Sequence, residues 1–452
     1  MNGPEPLRPR AARIGFWMTT ALVIGNTIGS GIFLLPAALA PFGADNVPGW
    51  IVTAAGGLTL ALVFARLGLF VPGAGGPYAY TRDAFGDLAG FTVGWAYWVS
   101  IWVGNAAIAT AAVGYLGSLV PWMTASPLNT ALATLGVVWA FTLVNCAGIR
   151  AAGWAQAVTT LLKLVPLVAA IGLLLTRLDE VRWPGGSGAP FTLGGTASVV
   201  TLALWALLGL ESATIPADKV EGAGKTVSRA TVWGTALSAA FSAAACAAVL
   251  LLLPAARVAS SSAPFADLAS AAWGARAARA VSLFAAVSAL GALNGWILLQ
   301  GELPRAMADD GLFPRAFART SRNGAPAAAL LATSAMVTAL VLLTVSRTLV
   351  GIFTFFALLA TTATLAAYLA CALALLRVRA RRRSDGARAG LAGAGIVACL
   401  GAAYSVGALV GAGREAVLWG AVLLLAGLPI HWWLQTRGPG ARRLPTAGVG
   451  SA

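Results

Sequence analysis

Charge is the scarcest property of this 452-residue chain: Asp, Glu, Lys and Arg together make up only 10% of it. Soluble domains carry about 25%, so a large water-soluble enzyme is excluded at the outset. Histidine occurs once, as His431, and cysteine four times. Cys146, Cys246, Cys371 and Cys399 are widely spaced and all fall in apolar stretches, which suggests neither a disulfide framework nor a zinc motif. Their expected role is as apolar core residues. There are no paired catalytic carboxylates and no nucleophile constellation, so no enzyme activity, metal or cofactor is expected. No polar run of domain length is present, so no soluble domain is expected either.

What is abundant is hydrophobicity, 59% of the chain. A helix needs about 20 apolar residues to cross the hydrocarbon core. Twelve such stretches are predicted, at 14–40, 48–70, 89–118, 128–148, 153–176, 196–216, 228–253, 277–300, 327–345, 349–377, 388–411 and 416–434. They predict an all-α membrane protein with one transmembrane domain over 14–435. A short tail over 1–13 precedes it, and a loose Pro/Gly-rich tail over 436–452 follows. Arg8, Arg10 and Arg13 precede a first stretch that is too long for a signal-peptide core and leads into further spans, so no cleavable signal is expected.

The net charge of +15 raises nucleic acid as a partner, but its placement argues otherwise. With both tails cytoplasmic and each span reversing direction, most Lys and Arg fall on the inner side. Only Arg177, Arg182, Arg257, Arg276, Arg279, Arg347 and Arg414 fall outside. This bias is the positive-inside rule for a plasma-membrane protein, in bacteria the inner membrane. The run from Arg377 to Arg383 reads as an anchor near anionic lipid head groups. It lacks the interleaved aromatic residues on which single strands stack, so no nucleic-acid partner is expected. A homodimer remains open.

Two spans are interrupted. The first reads Gly25-Asn26-Thr27-Ile28-Gly29-Ser30-Gly31, and its glycines weaken a helix by about 1 kcal/mol each. The sixth reads Trp205-Ala206-Leu207-Leu208-Gly209-Leu210-Glu211 and puts a carboxylate mid-membrane. The breaks lie five spans apart. Broken helices at matching positions of two halves point to a transporter built from inverted repeats, here spans one to five and six to ten with two added. Close helix packing would explain the first glycine run but not its pairing with Glu211.

Backbone freed at such a break must find partners. Around Gly29, Ser30 and Gly31 the N–H groups would begin a half-helix and suit a substrate carboxylate. Carbonyls of Thr27, Trp205 and Leu208 would suit its ammonium. Glu211 fits a proton-linked switch, a charge favouring cationic substrates, or a structural carboxylate. Lys163, in the fifth span, fits an ammonium standing where sodium binds elsewhere, a titrating group, or a tether between helices. Tyr97, Trp205 and Trp296 could line a cation's path. Most of the 16 tryptophans must be interfacial, but Trp296 lies mid-span beside Asn294 and Gly295. His431 is expected to be incidental.

These residues resemble a family. The motifs GNTIGSGIFLLPA at 25–37, PGAGGPYAYTRDAFG at 72–86, YWVSIWVGN at 97–105, LWALLGLES at 204–212 and ADDGLFPRAFAR at 308–319 are similar to those of the amino acid–polyamine–organocation permeases. Within that family the resemblance is to exchangers of basic amino acids and polyamines, such as arginine for agmatine. It implies the five-plus-five inverted repeat with broken helices one and six. It places a substrate carboxylate on Gly29, Ser30 and Gly31, beside Ile28. It places the amino group on carbonyls of Thr27, Trp205 and Leu208, and a guanidinium between Asn105 and Trp296. Ser100, Ile101, Ile108 and Ala360 stand at further substrate-binding positions of the family. Tyr97, Tyr368 and Glu211 match gating residues, and Lys163 matches other branches, including proton-coupled ones. The expectation is a secondary active amino acid transporter working by alternating access, an antiporter of cationic amino acids and amines. The alternative is a proton-coupled symporter or an exchanger of neutral amino acids.

Overall fold

A computed structural model describes residues 15–71, 75–147, 152–182, 191–215, 217, 220–384, 391 and 393–437. The tail 1–13, most of the tail 436–452, several of the basic residues expected on the inner side (Arg150, Lys219 and Arg388) and the side chain of Ser30 fall outside them. Among the described residues every secondary-structure element is a helix. In chain order the α-helices are α1 (Phe16–Thr27), α2 (Leu35–Leu39), α3 (Asn46–Phe70), α4 (Gly76–Phe85), α5 (Asp87–Gly117), α6 (Pro127–Ala147), α7 (Ala152–Thr176), α8 (Leu193–Leu204), α9 (Ala223–Leu252), α10 (Ala255–Ser260), α11 (Pro264–Trp273), α12 (Ala275–Asp309), α13 (Ala327–Leu343), α14 (Leu349–Ser384), α15 (Ala394–Gly411), α16 (Gly413–Leu425) and α17 (Leu428–Arg437). By length and composition, nine helical runs among the described residues can cross a membrane, and Leu162–Thr176 and Ala327–Leu343 are shorter apolar helices.

Several boundaries differ from the sequence pattern, each for a local reason. The end of the first predicted span runs on into the second as a single helical stretch, Leu35–Phe70. Gly43 alone turns the chain there, with φ +49° and ψ −119°, a conformation closed to residues with a Cβ. Asn46 stitches the turn through bonds of 3.0 Å from Nδ2 to the Leu39 and Gly43 carbonyls. Helix α12 extends past the predicted limit at 300 to Asp309, through Pro304. The predicted outer loop 254–276 contains α10 and α11.

Helix α5 is the hub. Of its apolar stretch 94% is buried, against 17% for Gly413–Leu434 at the periphery. It packs on α12 and α14, while α1 and α3 pack on α9. A helix buried on all sides can carry polar side chains only if its neighbours satisfy them, which makes α5 the natural place for a site.

Helix α4 packs on α5 and α14. The Tyr78 hydroxyl donates to Asp310 at 2.9 Å, and Arg82 pairs with Asp87 at 2.7 Å and with Asp310 at 3.5 Å. Burial, then the charge of Asp310, pushes the Tyr78 hydroxyl up to about 12, so it remains a donor across the physiological range. Arg381 donates to the Asp83 and Ala84 carbonyls at 2.9 and 3.1 Å, taking acceptors that the end of a helix leaves free. Arg382 donates to the Phe70 carbonyl at 2.7 Å and lies 4.9 Å from the Phe70 ring centroid. Two arginines of the 377–383 run therefore hold helix ends together, beyond any contact with head groups.

Candidate functional site

The first break starts where α1 ends. The Ile28 N–H still reaches the Ile24 carbonyl at 2.8 Å, but the Gly29 N–H turns to the Thr27 carbonyl at 2.7 Å. Gly29 is extended, with φ −87° and ψ −169°, before a short 3-10 turn over Ser30–Phe33. The Gly25 carbonyl, which a continued helix would bond to Gly29, instead accepts from Lys163 Nζ at 3.0 Å. Lys163 is 1% exposed, so its ammonium lies inside the protein against a carbonyl that the break released. The Thr27 hydroxyl bonds to that of Ser238 on α9 at 2.6 Å, which ties the frayed end to a continuous helix.

The second break follows α8. A 3-10 turn over Trp205–Leu207 gives way to extended Leu208, with ψ +138°, and to Gly209, with φ +96°. Gly209 is required twice over. Its φ lies where L-residues rarely go, and a Cβ would stand 3.3 Å from the Asn26 carbonyl of the first break. The two breaks are therefore in contact. Trp205 packs across both, boxed by glycines. A Cβ on Gly31 would fall 1.8 Å from Trp205 Nε1, and one on Gly104 would lie 3.2 Å from the far edge of the indole.

A cavity opens where the breaks meet. Of the residues expected from the sequence, Thr27, Gly29, Gly31, Tyr97, Ser100, Ile101, Ile108, Trp205, Leu208, Glu211 and Trp296 line it. Ile28, Asn105, Ala360, Tyr368 and Lys163 are buried and are not among the residues that line it. The sequence pattern missed Asn26, Gly104, Gly209 and Thr364, which complete the lining. Ala360 of α14 stands at a position that the resemblance gives as substrate-binding, but its side chain carries no hydrogen-bonding group. The hydroxyl that reaches the cavity from that helix is one turn further on, in Thr364, which also donates to the Ala360 carbonyl at 3.0 Å.

Glu211 is fully buried, and its two carboxylate oxygens are each taken by a tyrosine. Tyr97 of α5 donates to Oε1 and Tyr368 of α14 to Oε2. The Tyr368 ring is braced edge-on against Phe64, with centroids 5.2 Å apart. Among the described residues Glu211 forms no ion pair. One carboxylate thus links the second break to α5 and α14. Loss of its charge or its ligands would loosen all three. The carbonyls of Thr27 and Trp205 each accept one backbone N–H, from Gly29 at 2.7 Å and from Leu208 at 3.3 Å, and each keeps a second lone pair.

A family model described as Amino acid permease matches residues 14–432. The chain is 36% identical over 338 residues to the cadaverine/lysine antiporter of Escherichia coli K12, covering 74% of this chain and 75% of that protein. It is 33% identical over 429 residues to the putative arginine/ornithine antiporter of Bacillus subtilis 168, covering 88% and 91%. It is 30% identical over 435 residues to the putrescine transporter PotE of Escherichia coli K12, covering 95% and 97%. A family match over residues 14–432, with relatives 30–36% identical over most of their length, establishes the family: the chain belongs to the amino acid–polyamine–organocation permeases.

Proposed function

We propose that this protein is a secondary active transporter that exchanges a cationic amino acid for a related amine by alternating access. The observation that carries this reading is the meeting of two helix breaks around one cavity that also holds a buried carboxylate. Backbone N–H groups at Gly29, Ser30 and Gly31 would take the substrate carboxylate, and the carbonyls of Thr27, Trp205 and Leu208 its ammonium. Ser100, Ile101, Ile108 and Trp296 would bound the side chain, with Asn105 and Ala360 behind them. Glu211, held by Tyr97 and Tyr368, would couple occupancy to the position of the helices it joins. Relatives named for lysine, cadaverine, arginine, ornithine and putrescine share one chemical feature, a cationic nitrogen at the end of an aliphatic chain. The fold this reading uses is twelve crossings, with inverted repeats over the first ten and both tails cytoplasmic; a reporter tag on either tail that labels from outside intact cells overturns that orientation.

Counterflow in proteoliposomes tests the exchange. Vesicles loaded with lysine, arginine or putrescine should take up labelled external lysine or arginine, and empty vesicles should not. Uptake indifferent to the internal load overturns antiport. A second reading, proton-coupled symport or neutral exchange, is favoured by the ammonium of Lys163 at the first break. It predicts uptake into empty vesicles driven by an inward proton gradient, or counterflow of neutral amino acids.

A further inference from the structure

Two of the arginines expected on the outer side, Arg347 and Arg414, meet at one groove. Arg347 stands just before α14, and Arg414 lies in the first turn of α16. The positive-inside rule keeps such residues scarce outside, so their convergence needs a reason. Arg347 is held in place. Both its terminal nitrogens pair with Glu415, and its guanidinium carbon lies 4.5 Å from the Phe355 ring centroid. Glu415 is thereby neutralised, while Arg414 makes no ion pair among the described residues. Two arginines and one glutamate leave the mouth of the groove with positive charge in excess. Thr348 stands beside them. Its hydroxyl accepts from the Gly351 N–H at 3.2 Å and keeps its own hydrogen to donate.

Away from the mouth the groove is apolar. Its floor is one face of α14, where Val350, Thr354, Phe355 and Leu358 recur at helical spacing. That strip covers about 12 Å of helix rise. One wall is α2, the helix that follows the first break, through Ala37 and Ala38; the other is the first turn of α16. Helix α14 is long and apolar enough to cross a membrane, so its first turn belongs at head-group level and the strip in hydrocarbon. Helix α16 belongs to the least buried of the crossing stretches among the described residues, so the groove opens toward lipid. A free anion would leave the strip uncovered, and a hydrocarbon chain alone would leave Arg414 unmet. A molecule with a phosphate at one end and an acyl chain behind it meets both.

We propose that this groove binds an anionic phospholipid, its phosphate held by Arg414, Arg347 and the Thr348 hydroxyl and one acyl chain lying along the α14 strip. Arginine suits the head group because its fork of N–H donors matches phosphate oxygens. The bound chain lies against α2 and braces the helix that leads out of the first break. The site is separate from the substrate cavity, with which it shares no lining residue, and it does not depend on which amino acid the protein carries.

Thermal unfolding of the purified full chain in detergent micelles tests it, with dioleoylphosphatidylglycerol and dioleoylphosphatidylcholine as the added lipids. Phosphatidylglycerol should raise the midpoint saturably and at lower concentration than phosphatidylcholine. Arg414→Gln should weaken phosphatidylglycerol about fivefold, the contribution of one arginine near a lipid surface. Thr354→Trp lays an indole on the strip and should abolish the shift from either lipid. Thr354→Ala leaves the strip open and should respond as the wild type does, which separates blockage from misfolding. Arg276→Gln removes an exposed arginine expected on the same side but away from the groove, and should leave the response unchanged. Equal losses in Arg414→Gln and Arg276→Gln would reduce the effect to general surface charge and overturn the site. So would an undiminished shift in Thr354→Trp, or inorganic phosphate that competes as well as the lipid. A lipid-free dimer in native mass spectrometry that Thr354→Trp splits would give the groove to a second copy of the chain and overturn the proposal too.

Discussion

The two helix breaks do different work. The first is almost bare: backbone, three glycines, and two partners brought from outside it, Lys163 on the Gly25 carbonyl and Ser238 on Thr27. The second carries side chains with chemistry of their own, Trp205 laid across the cavity and Glu211 clamped by two tyrosines. A backbone surface can read only what all amino acids share. A tryptophan face and a carboxylate can respond to what differs among them, and to protons. In the proposed transport cycle the first break would recognise the amino acid head and the second would carry the coupling.

The sharpest way to break this division is at Gly31. A methyl there would stand 1.8 Å from Trp205 Nε1, and Gly104 on the other side leaves the indole no room to retreat. Gly31→Ala should weaken binding of every substrate alike, about a hundredfold. Radioligand binding to purified protein checks this, and a loss confined to one substrate would mean the first break does more than hold the head. Trp296→Leu should act selectively. A desolvated cation over tryptophan gains about 2 kcal/mol, so affinity for a cationic substrate should drop about thirtyfold while a neutral one is spared. Equal losses for both would move Trp296 from selectivity to packing.

Glu211→Ala should remove the carboxylate that joins the second break to Tyr97 and Tyr368 and flatten the pH dependence of transport. Initial rates across a pH series check it, and an unaltered profile would leave Glu211 a structural group. The smallest effect is expected at Lys163. Lys163→Met leaves the Gly25 carbonyl unpaired in an apolar setting, a cost of about 1–3 kcal/mol. The thermal midpoint of the purified protein should fall by a few degrees. A rise instead would mean that burying the ammonium costs more than the bond returns.

Both breaks were legible in the sequence because each violates the rule for a membrane span. Glycines crowd one and a carboxylate sits in the other, and neither survives in hydrocarbon without a purpose. Gly29, Gly31, Trp205 and Glu211 all line the cavity. Gly209 was legible as a weak point but not as a contact, because its need for glycine comes from Asn26, nearly the whole membrane domain's first half away in sequence. Thr364 was missed for a subtler reason. Periodicity places Ala360, Thr361 and Thr364 on one long apolar helix but does not say how that helix is rotated. Lipid is as apolar as leucine, so an outward face and an inward face of α14 read alike. Asn105 was singled out, and its partner Gln300 was not, because the pairing joins α5 to α12 across 195 residues of sequence.

The sequence by itself determined that this is a helical membrane protein, where its long apolar stretches lie, and where two of them break. Those are local properties: how apolar a stretch is, and whether its backbone can stay helical. Only the tertiary structure decided that the breaks touch, that Lys163 meets the Gly25 carbonyl, that two tyrosines from different helices share Glu211, and that Asn105 donates to Gln300 of another helix. The reason is physical. In an apolar medium a buried polar group must find a partner wherever the packing supplies one, and that choice depends on helix rotation and depth, which no local pattern encodes.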